Sequence, residues 1–290
     1  MNKTKDLRKM INENEFIMIP GIYDCVSAKY AEKAGFKCLF LSGGSLAYAK
    51  LGLPDIGLLN VNDFSESIIN ISNITKLPLI TDMDNGFGNA IHAAHAASLY
   101  EKCGASGLQI DDKLLPASTP TSHEVVDFSL IGPKIKAIRD SVSKDFVIVY
   151  RTAANMYDYG IDKAIERVNK AKELGADCAY VDGLKDLEQV KKVSKEAEIK
   201  LMINLNEKGF PASLSFEELS KYNYKLGLYP MSSILSTSFA LERIFEDLIK
   251  NKSTLKSRDK MISPALKLYN LMGLESITKE YSKYYDEEAK

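Results

Sequence analysis

Eight short runs rich in β-branched, aromatic and aliphatic residues recur along the chain: FIMIP (16–20), CLFLS (38–42), PLITD (78–82), GLQID (107–111), FVIVYR (146–151), DCAYVD (177–182), IKLMIN (199–204) and KLGLYP (225–230). Each is short enough for a strand, and the stretches between them carry helical periodicity. Asp24 to Ala34 runs to a stop at Gly35, Ala90 to Cys103 ends before Gly104, and Asp162 to Leu174 ends before Gly175. Asp162 suits an N-cap, and a glycine past the last turn suits a helix end. Buried strands alternating with helices imply parallel βαβ units, and eight such units close into a (β/α)8 TIM barrel. No Pro-, Gly- or Ser-rich linker divides the chain, so residues 1–250 are expected to form one catalytic barrel. Ser232 to Lys250 predicts a helix after the eighth strand. Beyond a charged stretch, Ser263 to Tyr284 carries Leu266, Leu268, Leu271, Met272 and Ile277 at helical spacing. Residues 251–290 are therefore expected to be a C-terminal helical extension packing on the barrel or on a neighbouring subunit.

Composition narrows the chemistry. With 38 Lys and Arg against 39 Asp and Glu in 290 residues, and 45% hydrophobic residues, the chain is too apolar and too balanced for disorder. That balance argues against nucleic acid or an anionic membrane surface as a partner, since both demand clustered excess cations. The N-terminal run MNKTKDLRKMINENEF has no apolar core of a signal peptide, and no stretch is long enough to span a bilayer. Cys25, Cys38, Cys103 and Cys178 form no C-x-x-C pair and read as reduced thiols of a cytoplasmic protein. Only three histidines are present, and His92 and His95 lack the Glu and the i, i+4 spacing of a helical zinc site.

In a parallel barrel the active site lies where the strands end. Reading those ends gives Ser42-Gly43-Gly44, Asp82-Met83-Asp84, Asp111-Asp112-Lys113, Arg151, Asp182, Asn204 and Tyr229. Carboxylates converging on one rim repel one another unless a cation lies between them, and oxygen ligands without His or Cys favour Mg²⁺ or Mn²⁺. For any one of these residues a helix cap or a turn is the ordinary role; Asp82, Asp84, Asp111 and Asp182 together point to a site. Gly86 and Gly88 let the backbone approach a ligand, and the amides of Ser42 to Gly44 suit a carboxylate or phosphate. His123 falls in a polar loop after the fourth strand, a position suited to a lid.

The ordered segments Ser42-Gly43-Gly44, LGLPD (51–55), DMDNGFG (82–88), QIDDK (109–113), YRT (150–152) and LYP (228–230) resemble the phosphoenolpyruvate mutase/isocitrate lyase superfamily. The resemblance implies a barrel that exchanges its eighth helix with a neighbour in a homodimer or homotetramer. It also implies a Mg²⁺ ion that stabilises an enolate-like form of a small carboxylate or phosphonate substrate. Asp84 would be the direct metal ligand, with Asp82 and Asp111 acting largely through water. Ser42, Gly43, Gly44, Tyr23, Asp82, Gly86, Asp182 and Asn204 would contact substrate, Arg151 would neutralise the oxyanion, and Asp55 would lie on a mobile segment over the site. Lys113 and His123 complete the catalytic candidates.

Four departures bear on the activity. Isocitrate- and methylisocitrate-cleaving members carry K-[KR]-C-G-H after the fourth strand, where this chain has LLPASTPTSHEVV and no cysteine. Mutases carry a lid Lys where this chain has Ala117, while DDKLLP resembles the decarboxylase-like pattern E-D-x-L-L-P. Asp111 replaces a family Glu, and Ala153 replaces an Asp or Asn. The expected activity is a Mg²⁺-dependent lyase or decarboxylase breaking a C–C bond in a small 2-oxo or 2-hydroxy carboxylate. The alternatives are a phosphonomutase in which Ser118 or His123 replaces the lid Lys, and a catalytically weakened metabolite-binding barrel.

Overall fold

The computed structural model describes residues 2–13, 15–117, 122–207, 209–261 and 265–285. Eight parallel strands close a barrel in sequence order. They are β1 (Ile17–Ile22), β2 (Leu39–Leu41), β3 (Leu79–Asp82), β4 (Gly107–Asp111), β5 (Val147–Thr152), β6 (Cys178–Val181), β7 (Lys200–Asn204) and β8 (Tyr224–Tyr229). Ile17 pairs with Leu226 to close the ring, and a register shift at Leu201/Met202 bends the seam between β7 and β8. The helices are α1 (Lys3–Asn12), α2 (Cys25–Ala34), α3 (Gly43–Leu46), α4 (Val61–Ile74), α5 (Ala90–Cys103), α6 (Phe128–Ser141), α7 (Ile161–Glu173), α8 (Leu187–Glu196), α9 (Phe216–Leu219), α10 (Ser232–Asn251), α11 (Leu266–Leu271) and α12 (Leu274–Tyr285). This is the (β/α)8 architecture that the alternation of runs predicts.

Local chemistry sets the helix ends. Asp24 caps α2 in a reciprocal box with Ser27, and Gly35 ends the helix at φ 95°. Asn89 and Gly104 do the same for α5. At α7 the expected cap is displaced: Gly160 holds the cap position, and Asp162 lies in the first turn, where its charge meets the helix dipole. Within the described residues 265–285 the C-terminal segment forms two helices, α11 and α12, with Gly273 at φ 95° between them.

Alternation along the strands sorts the core into two bodies. Residues facing outward pack against the helices in a large cluster. Ile17, Ile19, Cys38, Phe40, Ile80, Val147, Val149, Cys178, Tyr180, Met202, Leu226 and Leu228 fill the barrel interior, joined by Leu7 and Ile11 of α1. The N-terminal helix thus closes the floor beneath the strand starts. Arg8 anchors it there, pairing with Asp177 and donating to the Phe146 carbonyl at 2.9 Å. All four cysteines are free, and burial pushes the Cys38 and Cys178 thiols up to about 12.

The chain separates into two compact units, Met1–Ile234 and Leu235–Lys290. Leu235, Phe239, Leu241, Phe245 and Ile249 of α10 are exposed. Among the described residues, no helix is long and apolar enough to cross a membrane.

Ile11 is fully buried in the barrel floor, whereas Leu130 on α6 is 61% exposed. Denaturant unfolding of Ile11→Ala is therefore expected to show a loss of about 2–5 kcal/mol, against about 0.5 kcal/mol or less for Leu130→Ala. Equal losses would show that α1 is not part of the core.

Candidate active site

Counting in twos from the interior residues Ile80, Val149, Tyr180 and Met202 reaches Asp82, Arg151, Asp182 and Asn204 at the strand ends. These residues are the last inward-facing layer of the barrel. Asp82, Arg151 and Asn204 line a cavity of about 100 Å³ with Phe40, Ser42, Gly44, Asp55, Gln109, Tyr180, Asn206 and Leu228.

The DMDNGFG segment turns sharply after β3. Asp84 takes φ 46°, a left-handed conformation that Asp tolerates better than most residues. Its amide donates to Asp82 Oδ1 at 3.2 Å, and its carbonyl accepts the Asp111 amide at 2.8 Å. Asn85 Nδ2 donates to the Lys113 carbonyl at 3.3 Å, and the buried Lys134 ammonium donates to the Asn85 carbonyl at 2.7 Å. The turn is therefore stitched to the end of β4 and to α6.

The electrostatics of this corner are unfavourable. Burial, then the Asp111 charge, pushes the Asp82 carboxyl up to about 6, although Arg151 pulls the other way. Burial and the charges of Asp82, Asp111 and Asp55 raise Asp84 well above the usual carboxylate range, with Lys113 opposing. Asp111 is raised by burial, against the pull of Lys113 and Arg151. The buried Gln109 donates to Asp82 Oδ1 at 3.4 Å, leaving its own Oε1 without a hydrogen-bond partner. Crowded carboxylates and an orphaned amide oxygen fit a hard divalent cation with bound water. Among the described residues, no group of three or more His, Cys, Asp or Glu side chains is arranged to hold a metal directly. The trio is thus no closed cage; the fit is to an ion that keeps several of its waters, as Mg²⁺ does.

Across the mouth the balance reverses. Arg151 Nε donates to Asp182 Oδ2 at 3.1 Å, Nη2 binds the same oxygen, and Nη1 lies 3.9 Å from Asp111 Oδ2. Burial alone would raise the Asp182 carboxyl, but Arg151 and Lys113 hold it below its ordinary value. Asn204 Nδ2 adds a hydrogen bond to Asp182 Oδ1 at 3.3 Å. The guanidinium also lies over the Tyr180 ring, 5.4 Å from its centroid. An always-ionised carboxylate therefore fixes a cation in the wall of the cavity.

Glycine is required by close approach at the Ser42-Gly43-Gly44 turn. A Cβ on Gly43 would lie 2.9 Å from Asp82 Oδ2, and one on Gly44 would lie 2.7 Å from Asp55 Oδ2. After α3 the chain makes a π-helical turn, Ala47–Leu51, and Lys50 ties it to Asp63 of α4 at 3.3 Å. Asp55 follows on an exposed segment at the mouth.

Three candidates lie elsewhere. Tyr23 lines a separate surface cavity with Asp24, Cys25 and Lys50, because the chain leaves the barrel wall at Ile22. Gly86 faces Ala93, Ile110 and Lys134 beneath the turn. His123 is exposed on the segment after β4, edge-on to Tyr157 with ring centroids 5.5 Å apart. Ser118 lies outside the described residues. Gln109 is absent from the candidates that the strand ends suggest, although the period of two from Asp111 places it on the inward face.

A metal-compatible carboxylate corner thus faces a clamped arginine on the barrel rim. The chain belongs to the phosphoenolpyruvate phosphomutase family, whose model matches residues 7–247. Its relatives and structural neighbours are carbon–carbon lyases and phosphonomutases of the phosphoenolpyruvate mutase/isocitrate lyase superfamily. It is 30% identical to 2,3-dimethylmalate lyase of Eubacterium barkeri over 280 residues, 96% of each chain. It is 27% identical to a 2-methylisocitrate lyase of Aeropyrum pernix, covering 94% of this chain and 88% of that protein. Oxaloacetate acetylhydrolase bound to 3,3-difluorooxalacetate superposes with TM-score 0.89 at 26% identity, covering 97% of this chain and 96% of that one.

Gly44→Ala tests the approach to Asp55. The exposed Asp55 side chain can swing away, so the melting temperature is expected to stay within about 2 °C of wild type. Calorimetric titration with oxalate and Mg²⁺ is expected to show binding weakened by about tenfold, ~1.4 kcal/mol. Unchanged binding would remove this turn from the ligand site.

Proposed function

We propose that this protein is a Mg²⁺-dependent carbon–carbon lyase acting on a small 2-hydroxy or 2-oxo carboxylate. The observation that carries the reading is that Asp82, coupled by charge to Asp84 and Asp111, and the Asp182-clamped Arg151 line one cavity. Ala117 occupies the mutase lid position, and residues 114–126 contain no cysteine, which weighs against phosphoryl migration and against the usual isocitrate-type acid.

Asp84 would hold the cation, with Asp82 and Asp111 engaging it through water, and the ion, Mg²⁺ or Mn²⁺, would supply Lewis-acid charge. The turn of Ser42 to Gly44 would receive the substrate carboxylate. Asp55 would take the proton of the C2 hydroxyl of a 2-hydroxy acid, or of the hydrate of a 2-oxo acid, as C2=O forms. The C2–C3 electron pair would pass to the departing fragment as an enolate, which would take a proton from water. Arg151 would offset the negative charge that develops, preorganised because Asp182 stays ionised. Lys113, whose charge acts on Asp84, Asp111 and Asp182, would favour their ionised forms against burial. His123 would serve at the rim of the loop rather than at the reacting bond.

The exposed apolar residues of α10 support a homodimer or homotetramer in which this helix packs on a second copy, with residues 251–290 as an accompanying extension. Four free cysteines support a cytoplasmic setting.

Incubation with 2-alkylmalates, citramalate and oxaloacetate plus Mg²⁺ is expected to release a 2-oxo acid or oxalate. EDTA should abolish turnover, Mg²⁺ or Mn²⁺ should restore it, and Asp84→Asn should lower kcat by about 10²-fold or more. Conversion of phosphonopyruvate alone, seen by ³¹P NMR, would establish the mutase reading instead. Ligand binding without turnover of either class would establish a metabolite-binding barrel.

A further inference from the structure

Between Asp111 and Lys113 lies a carboxylate the chemistry above does not use. Asp112 is fully buried, and its partner Arg167 of α7 is 3% exposed. Asp112 Oδ2 accepts from Tyr150 Oη, Thr152 Oγ1 and Arg167 Nε, each at 2.7 Å, while Oδ1 accepts the Ala153 amide at 2.8 Å. Arg167 reaches further, donating through Nη2 to the Val126 carbonyl at 2.8 Å. The Val126 amide in turn donates to the Asp112 carbonyl at 2.8 Å.

These bonds join four pieces of chain that meet at the rim. Tyr150 and Thr152 flank Arg151, and Asp111 and Lys113 flank Asp112, so the residues facing the cavity and those facing the pair alternate along β4 and β5. Beyond Asp112 the chain leaves the barrel and returns as a narrow stem. Lys113 bridges Val125 in antiparallel fashion, and the Leu114 amide donates to the Glu124 carbonyl at 3.0 Å. Arg167 holds the returning arm of that stem at Val126.

We infer that Asp112 and Arg167 are positioning residues. The pair sets the root of the stem and, through β4 and β5, the placement of Asp111, Lys113 and Arg151 around the mouth. A pair serving stability alone would need only to neutralise itself. This one distributes its donors and acceptors to backbone and side-chain groups adjoining each of those mouth residues. Arg is required for this, because its planar fork serves Asp112 and the Val126 carbonyl together, whereas a Lys ammonium is a single point of charge. The assignment stands on the packing; only its kinetic consequence rests on the proposed lyase chemistry.

Arg167→Lys is the decisive variant, since it keeps the charge against Asp112 and gives up the fork. Hydrogen–deuterium exchange is expected to show the amides of Leu114 and Val126 exchanging about tenfold faster than in wild type, with those of Leu108 to Ile110 unchanged. The melting temperature should stay near the wild-type value, and in the lyase assay kcat should fall about tenfold with KM changed by less than about threefold. Arg167→Met and Asp112→Asn should enlarge the same local effect; where either fails to fold, Arg167→Lys still decides. Stem amides that exchange at the wild-type rate would overturn the inference. So would a uniform rise in exchange across the barrel that tracks a fall in melting temperature. Should wild-type protein turn over none of the substrates offered, the lyase reading fails, while the exchange data still decide the role of the pair.

Discussion

Closing eight short parallel strands leaves each strand only two or three residues that point inward, and every other feature of this protein follows from how those few are spent. The lower layers are apolar and interlock as a core. The last layer cannot be apolar, since it meets solvent, and it carries Asp82, Asp111, Arg151, Asp182 and Asn204, with Gln109 one step below. Because the backbone alternates, the residues between them belong to a different environment. Asp112, Tyr150 and Thr152 face the helices instead, where Asp112 and Tyr150 accept from Arg167 and Thr152 donates to Asp112. One pleat thus supplies both a reactive surface and the framework behind it.

The two halves of the mouth differ in how they handle charge. Arg151 and Asp182 satisfy each other, so both stay ionised and both are rigid. The three carboxylates opposite have no comparable partner, and burial raises each of them. Such a corner is costly in isolation, and the cost is relieved when a cation arrives. Proposed function and local electrostatic strain therefore fall on the same few residues.

Much of this is legible in the order of the amino acids alone. Alternating runs define the barrel, and strand ends place Asp82, Asp84, Asp111, Arg151, Asp182 and Asn204 at one rim. The reasoning weakens where position depends on contacts distant in sequence. Arg167 meets Asp112 across 55 positions, and nothing local marks either as half of a pair. Tyr23 follows the first strand as Ser42 follows the second, yet it lines a cavity with Asp24, Cys25 and Lys50. The floor helix is hidden by its charges: Leu7 and Ile11 are the only two of its ten residues that are buried. Gln109 is legible in principle, two places before Asp111, but an amide among carboxylates attracts less notice.

The helix across the barrel floor has a kinetic consequence. Leu7 and Ile11 fill the lower end of the interior, so whatever enters past Asp55 must leave by the same door. Under the proposed cleavage of one molecule into two, depth would dictate the queue: the fragment lodged nearer the strand ends would depart after the one above it.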